Sequence, residues 1–136
     1  MENTFVMIKP DGVRRKLVGE IIQRLENKGL DFKAGKLLTL SRELAETHYQ
    51  EHRDKPFFSE LIDYICSGPV MAMVWSGPTA IAMVRKLVGH KDPVQAEQGS
   101  IRADYAFTTT ENLVHASDSQ KAAEREIQLF FGGDPG

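Results

Sequence analysis

The run Asn112-Leu113-Val114-His115-Ala116-Ser117-Asp118-Ser119 holds the clearest chemistry in the chain. A short apolar stretch delivers one imidazole into a Ser/Asp cluster of the kind that starts helices, and small neighbours leave room above the ring. Near neutral pH an imidazole can accept a group and hand it on. That work needs one ring nitrogen bare toward a pocket and the other held by an acceptor. The other histidines promise less. His48 and His52 stand four apart on a predicted helix, a spacing that can bind zinc, but no glutamate flanks the first and no third ligand lies near. A solvated helix face is expected for them, and a surface position for His90. Lys9 stands at the mouth of a predicted buried strand, where a cation serving only solvation is out of place. Gly29…Gly35-Lys36-Leu37 approaches a phosphate-binding loop, but it has one residue too many, lacks the final hydroxyl and falls in a predicted strand. No protein-kinase set is present.

The elements that must position these residues alternate between strand and helix. Phe5–Ile8 is an apolar run, read as a strand buried on both faces, and Lys9-Pro10-Asp11-Gly12 reads as a turn. Val18, Ile21, Ile22 and Leu25 form a helical stripe that Gly29 ends as a left-handed cap. Phe32–Leu40 is a second strand. Ser41 caps a helix over 42–52, and Phe57–Ile65 follows after Pro56. Val70–Trp75 is the third strand, Thr79–Val88 a helix, and Asn112–Ala116 the fourth strand. A last helix spans 119–130, with Ser117 and Gln120 fitting a capping box. The segment between Gly89 and Asn112 has little periodicity, and such loops are uncommon unless they serve a function. With Arg102 inside it and Arg85 and Lys91 near its start, it looks like one wall of an anion pocket.

The order β-α-β-αα-β-α-β-α predicts an α+β, ferredoxin-like sandwich: a four-stranded antiparallel sheet covered by helices, with a helical-pair insertion and a long nucleotide-binding loop. At 136 residues the chain is expected to be one domain over 1–136, with a loose tail from Gly132 to Gly136. A net charge of −2 excludes a general attraction to polyanions, so any anion site must be local. The one cysteine, Cys66, is expected to be a buried small hydrophobe. It cannot pair internally, which fits a reducing compartment. No apolar run has membrane-spanning length and the N-terminus lacks a signal pattern, so a cytoplasmic protein is expected.

The run around His115 resembles the active-site signature N-x-x-H-[GA]-S-D of nucleoside diphosphate kinases. Four further segments match that family in order and spacing: Thr4–Val13, Arg53–Phe58, Ser67–Val70 and Gly99–Asp104. The resemblance covers the chain from about Thr4 to Phe131. It implies transfer of the terminal phosphoryl group from a nucleoside triphosphate to a diphosphate through a phosphohistidine on His115, by a ping-pong mechanism with low base selectivity. It also implies that Glu126 orients His115, although a glutamate at a stripe's edge is otherwise a solvated residue. Lys9, Arg85 and Arg102 would neutralise phosphates, Asn112 would meet the sugar hydroxyl and phosphates, and Tyr49 would lie near the histidine. Phe57 would stack on the base, with Leu61 beside it. Mg²⁺ would arrive on the nucleotide, with Asp118 reaching it through water. ATP, GTP and deoxynucleotides are the implied substrates, and a homo-oligomer, hexamer rather than tetramer, the implied assembly. Lys91 departs from the family, standing where threonine is common, and so does Lys16, where glycine is common. The competing readings are a nucleic-acid-binding module, for which the aromatic pattern and basic face are missing, and a catalytically silent assembly partner.

Overall fold

The computed structural model describes residues 1–133; the end of the tail anticipated to be loose lies outside the described residues. The elements are β1 (Glu2–Ile8), α1 (Pro10–Arg14), α2 (Val18–Lys28), β2 (Asp31–Leu38), α3 (Arg42–His48), α4 (Phe58–Ile65), β3 (Val70–Gly77), α5 (Ala80–Val88), α6 (Ile101–Tyr105), β4 (Val114–Ala116) and α7 (Gln120–Phe131). The sheet order is β2-β3-β1-β4, and every neighbouring pair is antiparallel. This is the anticipated split βαβ sandwich.

Phe5, Val6, Met7 and Ile8 are all fully buried because the centre of the sheet has a core on each side. Alternation divides them. Val6 and Ile8 join Met73 and Trp75 beneath α2 and α5, where Ile21, Leu25, Val84 and Val88 pack. Phe5 and Met7 join Ala72 and Val74 under α3, α4 and α7, through Ala45, Ile62, Ile65, Ile127 and Phe130. The helical pair and the last helix thus build a second core on the sheet face that a bare split βαβ unit leaves open.

Several local expectations need correction. Lys9-Pro10-Asp11-Gly12 is not a turn; Lys9 is the N-cap of α1 and Pro10 its first residue, where a missing N–H costs nothing. The helix predicted over 42–52 stops at His48, and Gln50–His52 form a 3-10 turn. The long segment after Gly89 contains α6, capped by Ser100, whose Oγ accepts from Ala103 N at 3.2 Å. Cys66 is only half-buried. The capping box is also misassigned. Ser119, not Ser117, caps α7, accepting from Ala122 N at 3.1 Å. Ser119→Ala should therefore lower stability by about 1 kcal/mol, read from urea unfolding, and an unchanged midpoint would contradict the cap. Gly29 does end α2 in the left-handed region, at φ +104. Lys16 has φ +62, in the left-handed region that glycine enters without strain.

Candidate active site

β4 pairs with β1 in the register Val6↔Ala116, Met7↔His115, Ile8↔Val114. Val114 and Ala116 therefore point into the α2/α5 core, and His115 faces the opposite way, toward α3 and α7. Its Nε2 lies 3.0 Å from Glu126 Oε2. Glu126 is 6% exposed, and its other oxygen accepts from Ser117 Oγ at 2.6 Å. A carboxylate can only accept, so the neutral ring carries its proton on Nε2, which leaves the Nδ1 lone pair free. The side chain is 23% exposed, and Nδ1 is the ring nitrogen that Glu126 does not hold.

The approach to β4 is pinned with unusual care. Leu113 adopts φ +78, a costly conformation for a branched residue. Its N–H donates to Asp11 Oδ2 at 3.1 Å, and its carbonyl accepts from Lys9 N at 2.8 Å. Asp11 is 3% exposed and also accepts from the Tyr64 hydroxyl. The end of β1 thereby fixes the start of β4 and brings Lys9 against Asn112.

Lys9 Nζ donates to Asn112 Oδ1 at 2.8 Å, while Asn112 Nδ2 donates to Lys91 O at 3.0 Å. Burial, then the Arg102 charge, pushes the Lys9 ammonium down to about 8 against the opposing effect of Asp11. Arg102 donates to the carbonyls of Asn112 (3.2 Å), Gly89 (2.9 Å) and Val114, clipping both ends of the long segment to β4. Burial, then the Arg85 charge, lowers Arg102 to about 10. Gly89 has φ +92, and a Cβ there would meet Ser100 Oγ at 2.3 Å, so only glycine closes this loop onto α6. Arg85 donates to Ala116 O at 3.3 Å. Cations that destabilise one another beside a cavity are a site built for an anion.

A cavity of about 790 Å³ gathers Lys9, Arg85, Lys91, Arg102, Asn112 and His115, with Tyr49, Leu61, Asp118 and Glu126 also lining it. Phe57 stands outside that lining; it precedes α4 and is 47% exposed, its ring centroid 5.7 Å from that of His52 and 5.7 Å from Lys55 Nζ. Tyr49 is 8% exposed; burial, then the Glu126 charge, pushes its phenol up. Asp118 is exposed.

Sequence reasoning missed several residues. His48 is not on a solvated face. It is 4% exposed and stands edge-on to His115, centroids 4.8 Å apart at 80°. Burial and then the neighbouring His115, Arg125 and Lys9 charges hold it well below 6.5, hence neutral. Ser117 fits a cap by pattern but instead orients Glu126. Arg125 donates to Thr47 O and His48 O, tying α7 to the end of α3.

Residues 2–135 match the family model described as nucleoside diphosphate kinase. A nucleoside diphosphate kinase of Archaeoglobus fulgidus is 60% identical over 134 residues, covering 98% of this chain and 89% of that protein. The apo crystal structure of the enzyme from Encephalitozoon cuniculi has a TM-score of 0.97 at 47% identity, covering 100% of this chain and 92% of that one. A halophilic enzyme from Halobacterium salinarum, solved in complex with CDP, has a TM-score of 0.95 at 52% identity, covering 98% of this chain and 90% of the other.

Proposed function

We propose how this pocket works from one premise: the chain belongs to the nucleoside diphosphate kinase family. The protein is a phosphotransferase that moves the terminal phosphoryl group of a nucleoside triphosphate to a nucleoside diphosphate. Such a kinase reaction requires a divalent metal.

His115 is the carrier in this proposal. Its Nδ1 attacks the terminal phosphorus, the bond to the bridging oxygen breaks, and the diphosphate leaves with that electron pair. The imidazolium character formed on attack is stabilised by Glu126 through Nε2–H, and Ser117 keeps that carboxylate aimed. A second diphosphate enters the same cavity and takes the group back by the reverse step, which gives ping-pong kinetics. Lys9, Arg85 and Arg102 neutralise the phosphates and hold them in line. Asn112, bridged between Lys9 and Lys91 O, meets the sugar and phosphate region. Tyr49 closes the cavity near the histidine. The half-exposed Phe57 ring stacks on the base, with Leu61 at its border; a π face accepts every base, which supports low selectivity among ATP, GTP and deoxynucleotides. CDP bound by the halophilic relative fits the same class of ligand.

Magnesium is the metal we assign. Of the carboxylates lining the cavity, Glu126 is engaged by His115 and Ser117 and Glu51 stands 3.7 Å from His52, so we assign Asp118 to meet a hydrated ion riding on the phosphates. The ion offsets phosphate charge when bound. Lys91 in place of threonine adds a mobile cation at the pocket, which should tighten phosphate binding. We further read residues 1–136 as a single catalytic domain in a cytoplasmic homo-oligomer, a hexamer rather than a tetramer. Exposed Leu37 on β2 and exposed Val94 and Phe107 on the long segment support contacts of more than one kind. No helix among the described residues is long and apolar enough to cross a membrane. A nucleic-acid platform is disfavoured because both faces of β1 and most of β3 are covered.

The observation that carries this reading is the Ser117–Glu126–His115 chain ending at a cavity walled by Lys9, Arg85 and Arg102. Incubation with terminally labelled ATP should leave acid-labile, base-stable label on the protein, and GDP should then remove it as labelled GTP. A protein that takes up no label is not a phosphohistidine carrier.

A further inference from the structure

We propose that His48, His115 and Glu126 form a binding site for a zinc-like transition-metal ion, and that occupation of this site arrests the carrier histidine. The second half rests on the assignment of His115 above; the first does not.

One ring nitrogen of each histidine and one oxygen of Glu126 lie within 4.8 Å of one another, the one such group of His, Cys, Asp and Glu among the described residues. The donors come from α3, β4 and α7, so the site is held by tertiary structure rather than by a sequence spacing. The spacing of four between His48 and His52 is immaterial, since the helix ends at His48.

His48 supplies an independent argument. Both of its ring nitrogens are buried and have no hydrogen-bond partner. A buried nitrogen lone pair with no hydrogen-bond partner is free to ligate, and at His48 it lies beside two further donors. Two imidazoles and a carboxylate suit zinc or cobalt, whereas magnesium takes oxygen. Zinc–nitrogen bonds of about 2.0–2.1 Å bring donors in a tetrahedron to within about 3.4 Å of each other. The widest gap, up to 4.8 Å, must then close by about 1.4 Å, within the reach of side-chain rotations. The cavity leaves the fourth position open to water.

The arrest follows from proton bookkeeping on one ring. Glu126 meets His115 at Nε2, so an ion shared with Glu126 takes Nε2 and displaces its proton to solvent. The neutral imidazole then takes a proton at Nδ1. The lone pair that faces the cavity is lost, and nothing remains to attack phosphorus.

The test uses nucleotide-free full-length protein at neutral pH. Zinc chloride is titrated in competition with a chromophoric chelator, cobalt chloride is followed by its visible spectrum, and the His115 ring is followed by imidazole ¹⁵N NMR. One ion per chain, tetrahedral cobalt bands, and a move of the His115 proton from Nε2 to Nδ1 are expected. His48→Leu gives up no hydrogen bond and should fold; it and Glu126→Gln should each weaken binding by about tenfold or more. Binding that is substoichiometric, or equally tight in a folded His48→Leu, would overturn the site. If His48→Leu does not melt cooperatively, Glu126→Gln decides in the same way. Stoichiometric zinc with the proton still on Nε2 would overturn the arrest. Failure of the carrier assignment shows separately, as metal-free protein that takes up no label from ATP.

Discussion

His115→Gln should take up no label from ATP and should lose turnover by roughly 10⁴-fold or more, the scale on which removal of a covalent nucleophile acts. Glutamine suits this test because it isolates the chemistry. Its carboxamide is polar, close to imidazole in reach, and can still donate to Glu126, so the Ser117–Glu126 contact at 2.6 Å keeps its geometry. The β4–β1 pairing is made by backbone and is untouched. What disappears is the Nδ1 lone pair. The cations that bind phosphate belong to other elements, so diphosphate affinity should stay within a few-fold of the parent, read by calorimetry. That split between lost chemistry and retained binding is what distinguishes a carrier from a histidine that merely supports the fold. A variant that still passes label to GDP at more than about one hundredth of the parent rate would reject His115 as the carrier.

The parts of this site legible in the sequence are those whose signal is local. The apolar run of β1 announces a strand buried on both faces, so Lys9 at its end stands out from the residue pattern alone. The short strand into Ser/Asp announces His115. Glu126 is different. Its contact with His115 spans β4 and α7, and only the resemblance to a family points to it. The misses share a cause, which is that local rules ignore competing tertiary partners. Ser117 satisfies a capping pattern, yet Glu126 claims its hydroxyl and Ser119 does the capping. His48 and His52 share a helix face only if the helix continues, and it does not. Arg102 reads as a loop charge because a five-residue helix is too short to show a period. Arg125 ties α7 to the end of α3 only because those two elements pack together, which no local pattern shows.

Lys9→Met carries the second large effect, and its diagnostic is pH. In the free protein the Lys9 ammonium sits at about 8 because burial and Arg102 disfavour the charge. Below that pH it is present to receive phosphates; above it the charge is lost. The parent's kcat/KM for nucleotide should therefore fall as pH rises through 8, before Arg102, at about 10, begins to contribute. Methionine keeps the volume and removes the charge, so kcat/KM at pH 7 should drop by about 10²–10³-fold, as for loss of one preorganised donor to developing charge. Between pH 7 and 9 the variant's profile should lose the fall centred near 8. Stability should move the other way. The folded state binds fewer protons than the unfolded state between about 8 and the ordinary lysine value of 10.5, so nucleotide-free parent gains stability as pH rises through that window. At pH 7 the buried ammonium is a cost that methionine removes, partly offset by the lost bond to Asn112 Oδ1. The variant should thus melt no lower than the parent while being far less active, which identifies Lys9 as a charge held out of water for the sake of a phosphate. If the melting temperature falls by several degrees, or if the fall near pH 8 persists in the variant, the fold rather than the reaction is what Lys9 serves.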